Sequence, residues 1–178
     1  MGIYTCAEIR ARQGIDFTIL PFLEENINPN SYNLRLNLQT LKYAVRDCEF
    51  DCAKDNSCYF KDCIEPSESI ESFWLEPNRL YLASTVENTK VDNCVPIIIG
   101  RSSLARLGVE VHRTAGFGDI GFNGFWTLQI TCTNRTCVYD KMNIAQIYFV
   151  TPHGGIENIY AGKYQDNAGC QTSRLYLD

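Results

Sequence analysis

The chain has no long hydrophobic run, no secretory leader pattern and no excess of basic residues. Its longest apolar stretch, near residues 95–99, is far shorter than the roughly 20 residues of a membrane-spanning helix. The first ten residues lack the charged and apolar regions of a signal peptide, so none is predicted. A net charge of −5 argues against a basic surface wide enough for duplex nucleic acid. It leaves room for a small anionic ligand where a few Arg and Lys side chains converge.

Paired C-x2-C knuckles are also missing, although the 178 residues include nine cysteines. Four of these, Cys48, Cys52, Cys58 and Cys63, crowd one stretch with three, five and four residues between successive members. Structural zinc sites usually pair their cysteines, so neither zinc nor any other resident metal is expected. We expect mostly free thiols in a reducing compartment, with a zinc site or intramolecular disulfides as the alternatives. The polar, acidic segment at about 48–72 is predicted to be an insertion or long surface loop.

Helical periodicity is nearly absent after the first residues. Thr5 and Glu8 form a capping-box pattern, which predicts a short helix to about Gln13, ended by Gly14. Beyond it, short apolar stretches alternate with turn residues, at 16–22, 31–36, 80–85, 96–99, 126–132 and 143–150. Many short strands with Gly and Asn turns predict one all-β domain over 1–178, a sandwich or barrel.

Residues 125–132 show the clearest two-residue alternation. The face expected to join the core carries Trp126, Leu128, Ile130 and Cys132. The face that could line a site carries Phe125, Thr127, Gln129 and Thr131. The strand is therefore predicted to separate a packed interior from a functional surface.

The segment 100–108 carries two hydroxyls and two guanidiniums after an apolar strand. Ser102 or Ser103 can cap a short helix, with Arg101 and Arg106 beside its start. Free N–H groups at a helix start, together with arginines, form a phosphate cradle. The alternative is an ordinary capped turn whose arginines are solvated.

A second segment, 111–124, holds four glycines around one carboxylate, Asp119. Such glycines mark tight turns or a close backbone approach to a ligand. Asp119 is then either a turn former, which is the commoner role for an aspartate in a Gly-rich loop, or a functional carboxylate.

Taken together, four ordered motifs resemble the dCTP deaminase family of the dCTP deaminase and dUTPase superfamily. Residues 100–108 read GRSSLARLG, as in the family, and 112–129 read HRTAGFGDIGFNGFWTLQ beside its HxTAGFIDPGFEGxxTLE. Residues 29–36, PNSYNLRL, are similar to its PxSYDLRL, and 162–165 with 173–174 are similar to its GKYQ…SR tail. The likeness spans nearly the whole chain except the cysteine-rich segment.

The resemblance implies a dUTPase-like distorted β-barrel or jelly roll with a short N-terminal helix. It implies homotrimers with sites at the subunit interfaces, and hydrolytic deamination of dCTP to dUTP and ammonia without zinc. Magnesium would accompany the triphosphate, and the setting would be the cytoplasm of a bacterial or phage-infected cell. The only small-molecule partner implied is a pyrimidine nucleotide.

The resemblance also implies roles for individual residues. Those that would hold the nucleotide and its phosphates are Arg101, Ser102, Ser103, Lys163, Tyr164 and Asn167, the last three from a tail that closes over the site. Ser102 and Arg106 would also lie by the reaction centre. The backbone of Thr114 and Ala115 would place the pyrimidine and the water.

Three positions depart from the family pattern by changing an acid to an amide. The catalytic glutamate falls on Gln129, and the acids of the first and second blocks fall on Asn33 and Asn123. An amide cannot accept a proton, and losing a positioned general base typically costs about 10²–10⁴-fold in rate. Asp119, at the position of the water-activating aspartate of dUTPases, is retained.

Three functions therefore remain open. The first is a dCTP deaminase lineage whose activity is weak or lost because of Gln129. The second is a dUTP pyrophosphatase that uses Asp119. The third is a non-catalytic protein that sequesters a nucleotide or regulates through it.

Overall fold

A computed structural model describes residues 2–65 and 68–178; Met1, Pro66 and Ser67 lie outside the described residues, the last two within the predicted insertion. The described residues form mainly β-strands. The helices are α1 (Cys6–Arg12) and α2 (Ser102–Ala105), with 3-10 turns at Glu24–Asn26, Ser57–Tyr59 and Leu175–Leu177. The strands are β1 (Phe17–Leu20), β2 (Ile27–Asn28), β3 (Ser31–Ala44), β4 (Phe60–Asp62), β5 (Ser72–Leu75), β6 (Tyr81–Val91), β7 (Val95–Gly100), β8 (Val109–Val111), β9 (Asn123–Cys132), β10 (Thr136–Tyr139) and β11 (Asn143–Val150).

Nine of these strands form one antiparallel sheet. Its order is β7-β11-β3-β6-β9-β8, with β1 added on β6 and with β2 and β4 added on β3. The two outer strands come together at one end, where a Cβ on Gly100 would lie 3.6 Å from the carbonyl oxygen of Val111. The sheet is therefore a nearly closed barrel, and β5 and β10 pair separately beside it. The all-β expectation is confirmed.

The core fills the barrel with aliphatic and aromatic side chains from every long strand. Phe17 of β1 stacks on Phe149 of β11 with ring centroids 3.9 Å apart, and both are fully buried. Helix α1 packs on this core through the buried Ile9. No helix in residues 2–65 and 68–178 has the length and apolar character needed to cross a membrane.

The local predictions for the N-terminal helix and for the last long strand are confirmed. Thr5 Oγ1 accepts from Glu8 N–H, Glu8 accepts from Thr5 N–H at 3.0 Å, and the helix ends at Arg12 with Gly14 at φ +80°. The predicted strand at 143–150 has those bounds in β11.

Other strands differ from the sequence prediction. Strand β3 continues to Ala44, eight residues past the predicted end, because polar residues interrupt the apolar spacing of its second half. Strands β4, β5, β8 and β10 were not predicted, since each has only three or four residues and is shaped by its partner strand.

The cysteine-rich segment folds back along the barrel. After a loop held by Asn56, whose side-chain amide donates to the carbonyl oxygens of Asp51 and Lys54 at 2.8 Å, β4 pairs with the end of β3. All nine cysteines are free thiols. Burial raises the pKa of Cys63, Cys94 and Cys170 to about 12, whereas Cys52 and Cys58 are exposed.

One buried ion pair joins the two longest strands. The carboxylate of Glu87 in β6, which is fully buried, accepts from Arg35 Nε at 2.6 Å and from Arg35 N at 2.8 Å. The Arg35 side chain in β3 is only 16% exposed. Removing one member of such a pair leaves an uncompensated charge in a low-dielectric interior.

Replacing Glu87 with Ala should therefore lower the free energy of unfolding by about 3–5 kcal/mol. Chemical denaturation followed by fluorescence measures this change. The matched control is Glu76→Ala, which breaks an exposed pair with Arg135 (2.9 Å) and should cost about 1 kcal/mol or less. Equal losses in the two variants would contradict the assignment of Glu87 as a buried structural charge.

The thiol groups should differ sharply in their reactivity toward an alkylating reagent. Because only the thiolate is nucleophilic, Cys63, Cys94 and Cys170 should stay unmodified by iodoacetamide near pH 8 and become reactive only as the pH approaches about 12. Cys52 and Cys58, which are exposed, should be labelled first. Peptide mass spectrometry after timed labelling of the folded protein would check the order.

Candidate functional site

A cavity of about 530 Å³ lies against the half-exposed face of β9. Most of its lining comes from three parts of the chain: β9 itself, the loop between β8 and β9, and the C-terminal tail. Side chains of β4 and of the start of β6 complete it. Its polar lining residues are His112, Asp119, Thr127, Gln129, Tyr160, Tyr164, Asn167, Gln171, Thr172 and Ser173. Its apolar lining residues are Phe60, Leu80, Leu82, Ala115, Phe117, Gly118, Phe122, Phe125 and Trp126.

Strand β9 presents Gln129 to this cavity as the alternation predicted. Residues 124, 126, 128, 130 and 132 are buried, while the intervening side chains are half-exposed. The Gln129 amide Nε2 donates to the carbonyl oxygen of Thr127 at 3.2 Å. The backbone oxygen of Gln129 accepts from His112 N–H at 2.9 Å, which ties the strand to the loop. The side chain is thus an oriented, neutral hydrogen-bonding group.

Asp119 is the single carboxylate among the described residues that line the cavity. It is exposed and sits in a turn where Phe122 N–H donates to its backbone oxygen at 3.3 Å. A Cβ on Gly118 beside it would lie 2.6 Å from the Trp126 ring, so a side chain there would require that ring to move. Asp119 therefore forms the turn with its backbone and is one of the residues that line the cavity.

The sequence reasoning missed two lining residues that carry unused polar atoms. His112 has a left-handed backbone (φ +57°), and burial lowers the pKa of its imidazole, so the ring is neutral near pH 7. Its Nδ1 and the Nε1 of Trp126 are both buried without a hydrogen-bond partner among the described residues. His112 lies inside a quoted motif, but nothing in its spacing indicated burial; Trp126 was assigned to the core alone.

The C-terminal tail supplies the third wall. Asn167 Oδ1 accepts from Phe125 N–H at 3.2 Å, and Gln171 N–H donates to Thr127 Oγ1 at 2.9 Å. Tyr164 lines the cavity from the same segment. The tail thus lies along β9 in the same chain, and it was only in part anticipated, since Gln171 was not among the predicted site residues.

The remaining predicted residues lie outside the cavity of the single chain. Those that do not line it are Arg101, Ser102, Ser103, Arg106, Thr114 and Lys163. Arg101 Nη1 donates to the backbone oxygen of Asn143 at 3.1 Å, and Lys163 Nζ pairs with Asp178 at 2.5 Å. One chain therefore brings together Gln129, Asp119, Ala115, Tyr164 and Asn167, but not the cationic group.

The helix at the predicted phosphate cradle also differs from expectation. Its N-cap residue is Arg101, which makes no side-chain cap bond, and both serines lie in the first helical turn. The helix has only four residues before Gly108 ends the turn at φ +79°. So short a helix offers few free N–H groups and little dipole, so any anion held here depends mainly on the arginines and hydroxyls.

The site's chemistry follows from its lining. Aromatic walls and amide side chains suit a planar, neutral ring with donors and acceptors on its edge. No lysine or arginine lines the cavity within the described residues, so a polyanionic group attached to that ring needs charges from elsewhere.

Comparison with known proteins gives a consistent result. The family model described as dCTP deaminase-like matches residues 3–151. Relatives named "dCTP deaminase, dUMP-forming" include that of Hathewaya histolytica, 44% identical over 171 residues, and that of Clostridium acetobutylicum, 47% identical over 171 residues. Each alignment covers 96% of this chain and 95% of the relative. The Leptospira biflexa protein of the same name is 46% identical over 176 residues, or 99% of this chain and 97% of its own.

A solved structure shares the fold. The 2'-deoxycytidine 5'-triphosphate deaminase of Agrobacterium tumefaciens aligns with a TM-score of 0.63 at 22% identity, over 85% of this chain and 48% of that one. The relatives' names also correct one expectation, because they give dUMP rather than dUTP as the product.

Proposed function

The chain belongs to the dCTP deaminase-like family, and we propose that it binds a pyrimidine deoxynucleoside triphosphate beside β9 with its deaminase step weak or lost. The observation that carries this proposal is the pair of groups at the cavity: a neutral amide at Gln129 and one carboxylate, Asp119. The cavity keeps the walls for a base, while the proton acceptor that deamination needs at position 129 is replaced.

Deamination requires a group that both accepts and donates protons. Water adds to C4 of cytosine and gives one proton to N3. The hydroxyl left on C4 then gives its proton to the amine, which leaves as ammonia while C4 becomes a carbonyl. Gln129 can hydrogen-bond the water or the exocyclic amine, so binding survives, but its amide cannot accept the proton. Asp119 is in a different part of the cavity wall and forms part of a turn.

A second candidate function is dUTP hydrolysis, favoured by the exposed Asp119 carboxylate. The relatives' conversion of dCTP to dUMP includes a second hydrolysis, in which water attacks phosphorus and pyrophosphate leaves. A carboxylate at the cavity can take the proton from that water. If neither reaction occurs, the same cavity acts as a nucleotide-holding site, which is the non-catalytic alternative.

The proposed assembly is a homotrimer whose sites lie between chains. It is supported by the separation of the predicted residues: the base walls are in one cavity, while Arg101, Ser102 and Arg106 lie on the α2 turn outside it. A neighbouring copy that brings its α2 turn to the cavity would supply the missing positive charge, with Ser103 and Thr114 beside it. Lys163 would join once it exchanges Asp178 for phosphate.

Magnesium is proposed to enter with the triphosphate. Within the described residues there is no cluster of three His, Cys, Asp or Glu side chains that could hold a cation unaided. Mg²⁺ keeps several waters and is often bound through substrate phosphates, which is the way of binding proposed here. When bound it would neutralise phosphate charge. The proposed setting is the cytoplasm of a bacterial or phage-infected cell, as the relatives are bacterial.

Replacing Arg101 with Ala should weaken triphosphate binding at least about tenfold, because a charge-assisted bond to phosphate is worth about 1.5–3 kcal/mol. Calorimetry with dUTP measures this, and Arg135→Ala, which removes an arginine of an exposed surface pair, is the control.

Light scattering on the same samples should give three times the 20.2 kDa chain mass. Unchanged affinity, or a monomer at micromolar concentration, would contradict the shared site.

Replacing Gln129 with Glu should raise the rate of ammonia release from dCTP by a factor on the order of 10²–10⁴, because it restores a proton acceptor on an otherwise intact face. The unmodified protein should show little or no release. Coupled ammonia detection and nucleotide chromatography distinguish dCTP, dUTP and dUMP in both forms.

Two companion variants separate the candidate functions. Asp119→Asn in the Gln129 background should abolish any conversion of dUTP to dUMP if Asp119 serves the second hydrolysis. Gln129→Ala should bind nucleotide without gaining deamination. Brisk ammonia release by the unmodified protein would refute the loss of the base, and no gain in the Glu form with nucleotide still bound would favour the holding function.

A further inference from the structure

The tail that covers the cavity is joined to β9 at alternate residues. Its contacts fall on positions 123, 125 and 127 of the strand, the same half-exposed face that continues to Gln129. Two of these contacts, at Phe125 and Thr127, involve Asn167 and Gln171, which themselves line the cavity. The position of the cavity's third wall therefore depends on how the tail is seated on β9.

The contact between the tail and β9 is densest at Asn123, which takes part in three hydrogen bonds. Asn123 Nδ2 donates to the Asp166 carboxylate at 2.7 Å, and Asp166 N–H donates to the Asn123 backbone oxygen at 2.8 Å. Asn123 N–H also donates to Gln165 Oε1 at 3.0 Å. One residue at the start of β9 thus holds both the side chain and the backbone of the tail.

The local backbone is shaped for this contact. Asp166 has a left-handed conformation (φ +53°), which Asp and Asn tolerate better than most residues. Gly124, next to Asn123, must lack a side chain, since a Cβ would lie 2.5 Å from the Asn167 amide nitrogen. The tail therefore approaches β9 closely at this point, immediately before Asn167 enters the cavity wall.

We propose that Asn123 and Asp166 are positioning residues for the nucleotide site, a latch that seats Asn167 and Gln171 over the bound nucleotide. This role rests on the proposed function, since it assumes that a nucleotide occupies the cavity. The two residues touch no ligand themselves, because neither lines the cavity. They act through the tail, and they should chiefly slow the escape of the nucleotide.

The chemistry of the pair explains why an amide stands at position 123. Its partner Asp166 is an acceptor only, so position 123 must donate. An acid at 123 would place two carboxylates at hydrogen-bond distance, where like charges repel. The direction of the bond can be reversed, however, by exchanging the two side chains, because Asn and Asp have the same shape and Asn also tolerates a left-handed backbone.

The experiment compares Asn123→Asp, Asp166→Asn and the double exchange, each as the full chain. Lys90 lies opposite Asn123 on β6 and pairs with Asp92. Because Asn123→Asp and the double exchange both place a carboxylate opposite Lys90, the comparison of these two variants isolates the contact with position 166. Asp92→Asn is the control for loss of a carboxylate near this end of the sheet. Stopped-flow release of a fluorescent dUTP analogue gives the dissociation rate, and tryptic cleavage after Lys163 without nucleotide reports tail seating.

Asn123→Asp should release the nucleotide on the order of tenfold faster and expose Lys163 to trypsin, with the thermal unfolding midpoint nearly unchanged. The double exchange should restore the rate of nucleotide release and the rate of tryptic cleavage to within about twofold of those of the unmodified protein. Release that is unaffected while cleavage rises, or a double exchange no better than Asn123→Asp, would overturn the latch. If the unmodified protein binds no nucleotide, the proposed function fails. Tryptic cleavage after Lys163 in the same variants still shows whether Asn123 and Asp166 hold the tail on β9.

Discussion

The site depends on one constraint, the two-residue alternation of β9 between β6 and β8. Because β9 is paired on both sides, its register cannot slip without moving Trp126, Leu128 and Ile130 out of the core. The other face is then fixed as well, with Thr127 and Gln129 toward the cavity. The loop before β9 and the tail after β11 are both attached to this strand, through the backbone of Gln129 and through Asn123.

Within a single chain, the cavity and the positively charged side chains of the α2 turn lie apart. The cavity has aromatic walls, amides and one carboxylate, while the arginines of the α2 turn lie elsewhere. A neutral ring fits the first environment, and a triphosphate requires the second. A second copy that contributes its own turn would satisfy both, and this is the physical reason for the proposed shared site.

The family, the all-β class, the N-terminal helix and the two faces of β9 were all predictable from the sequence, because each is encoded locally by a motif, a cap or a period. The prediction that Ser102 or Ser103 caps α2 was wrong, because Arg101 takes the N-cap position and the helix is a single turn. Strands β4, β5, β8 and β10 could not be predicted, because three or four residues carry no usable period and their pairing depends on distant partners. The product expected for the lineage was corrected from dUTP to dUMP by the relatives' names.

By itself the sequence determined the chemical identity of the groups: an amide at Gln129, a retained acid at Asp119, and an arginine-serine turn at 101–103. These are properties of side chains and of short motifs, which do not depend on long-range contacts. Only the tertiary structure decided which of them share a cavity, that the Nδ1 of His112 is buried, and that the tail is hydrogen-bonded to β9 through Asn123 and Asp166. Those facts arise from segments that are separated along the chain and meet on one strand, as when Asn123 contacts Asp166, and spacing along a chain carries no information about such contacts.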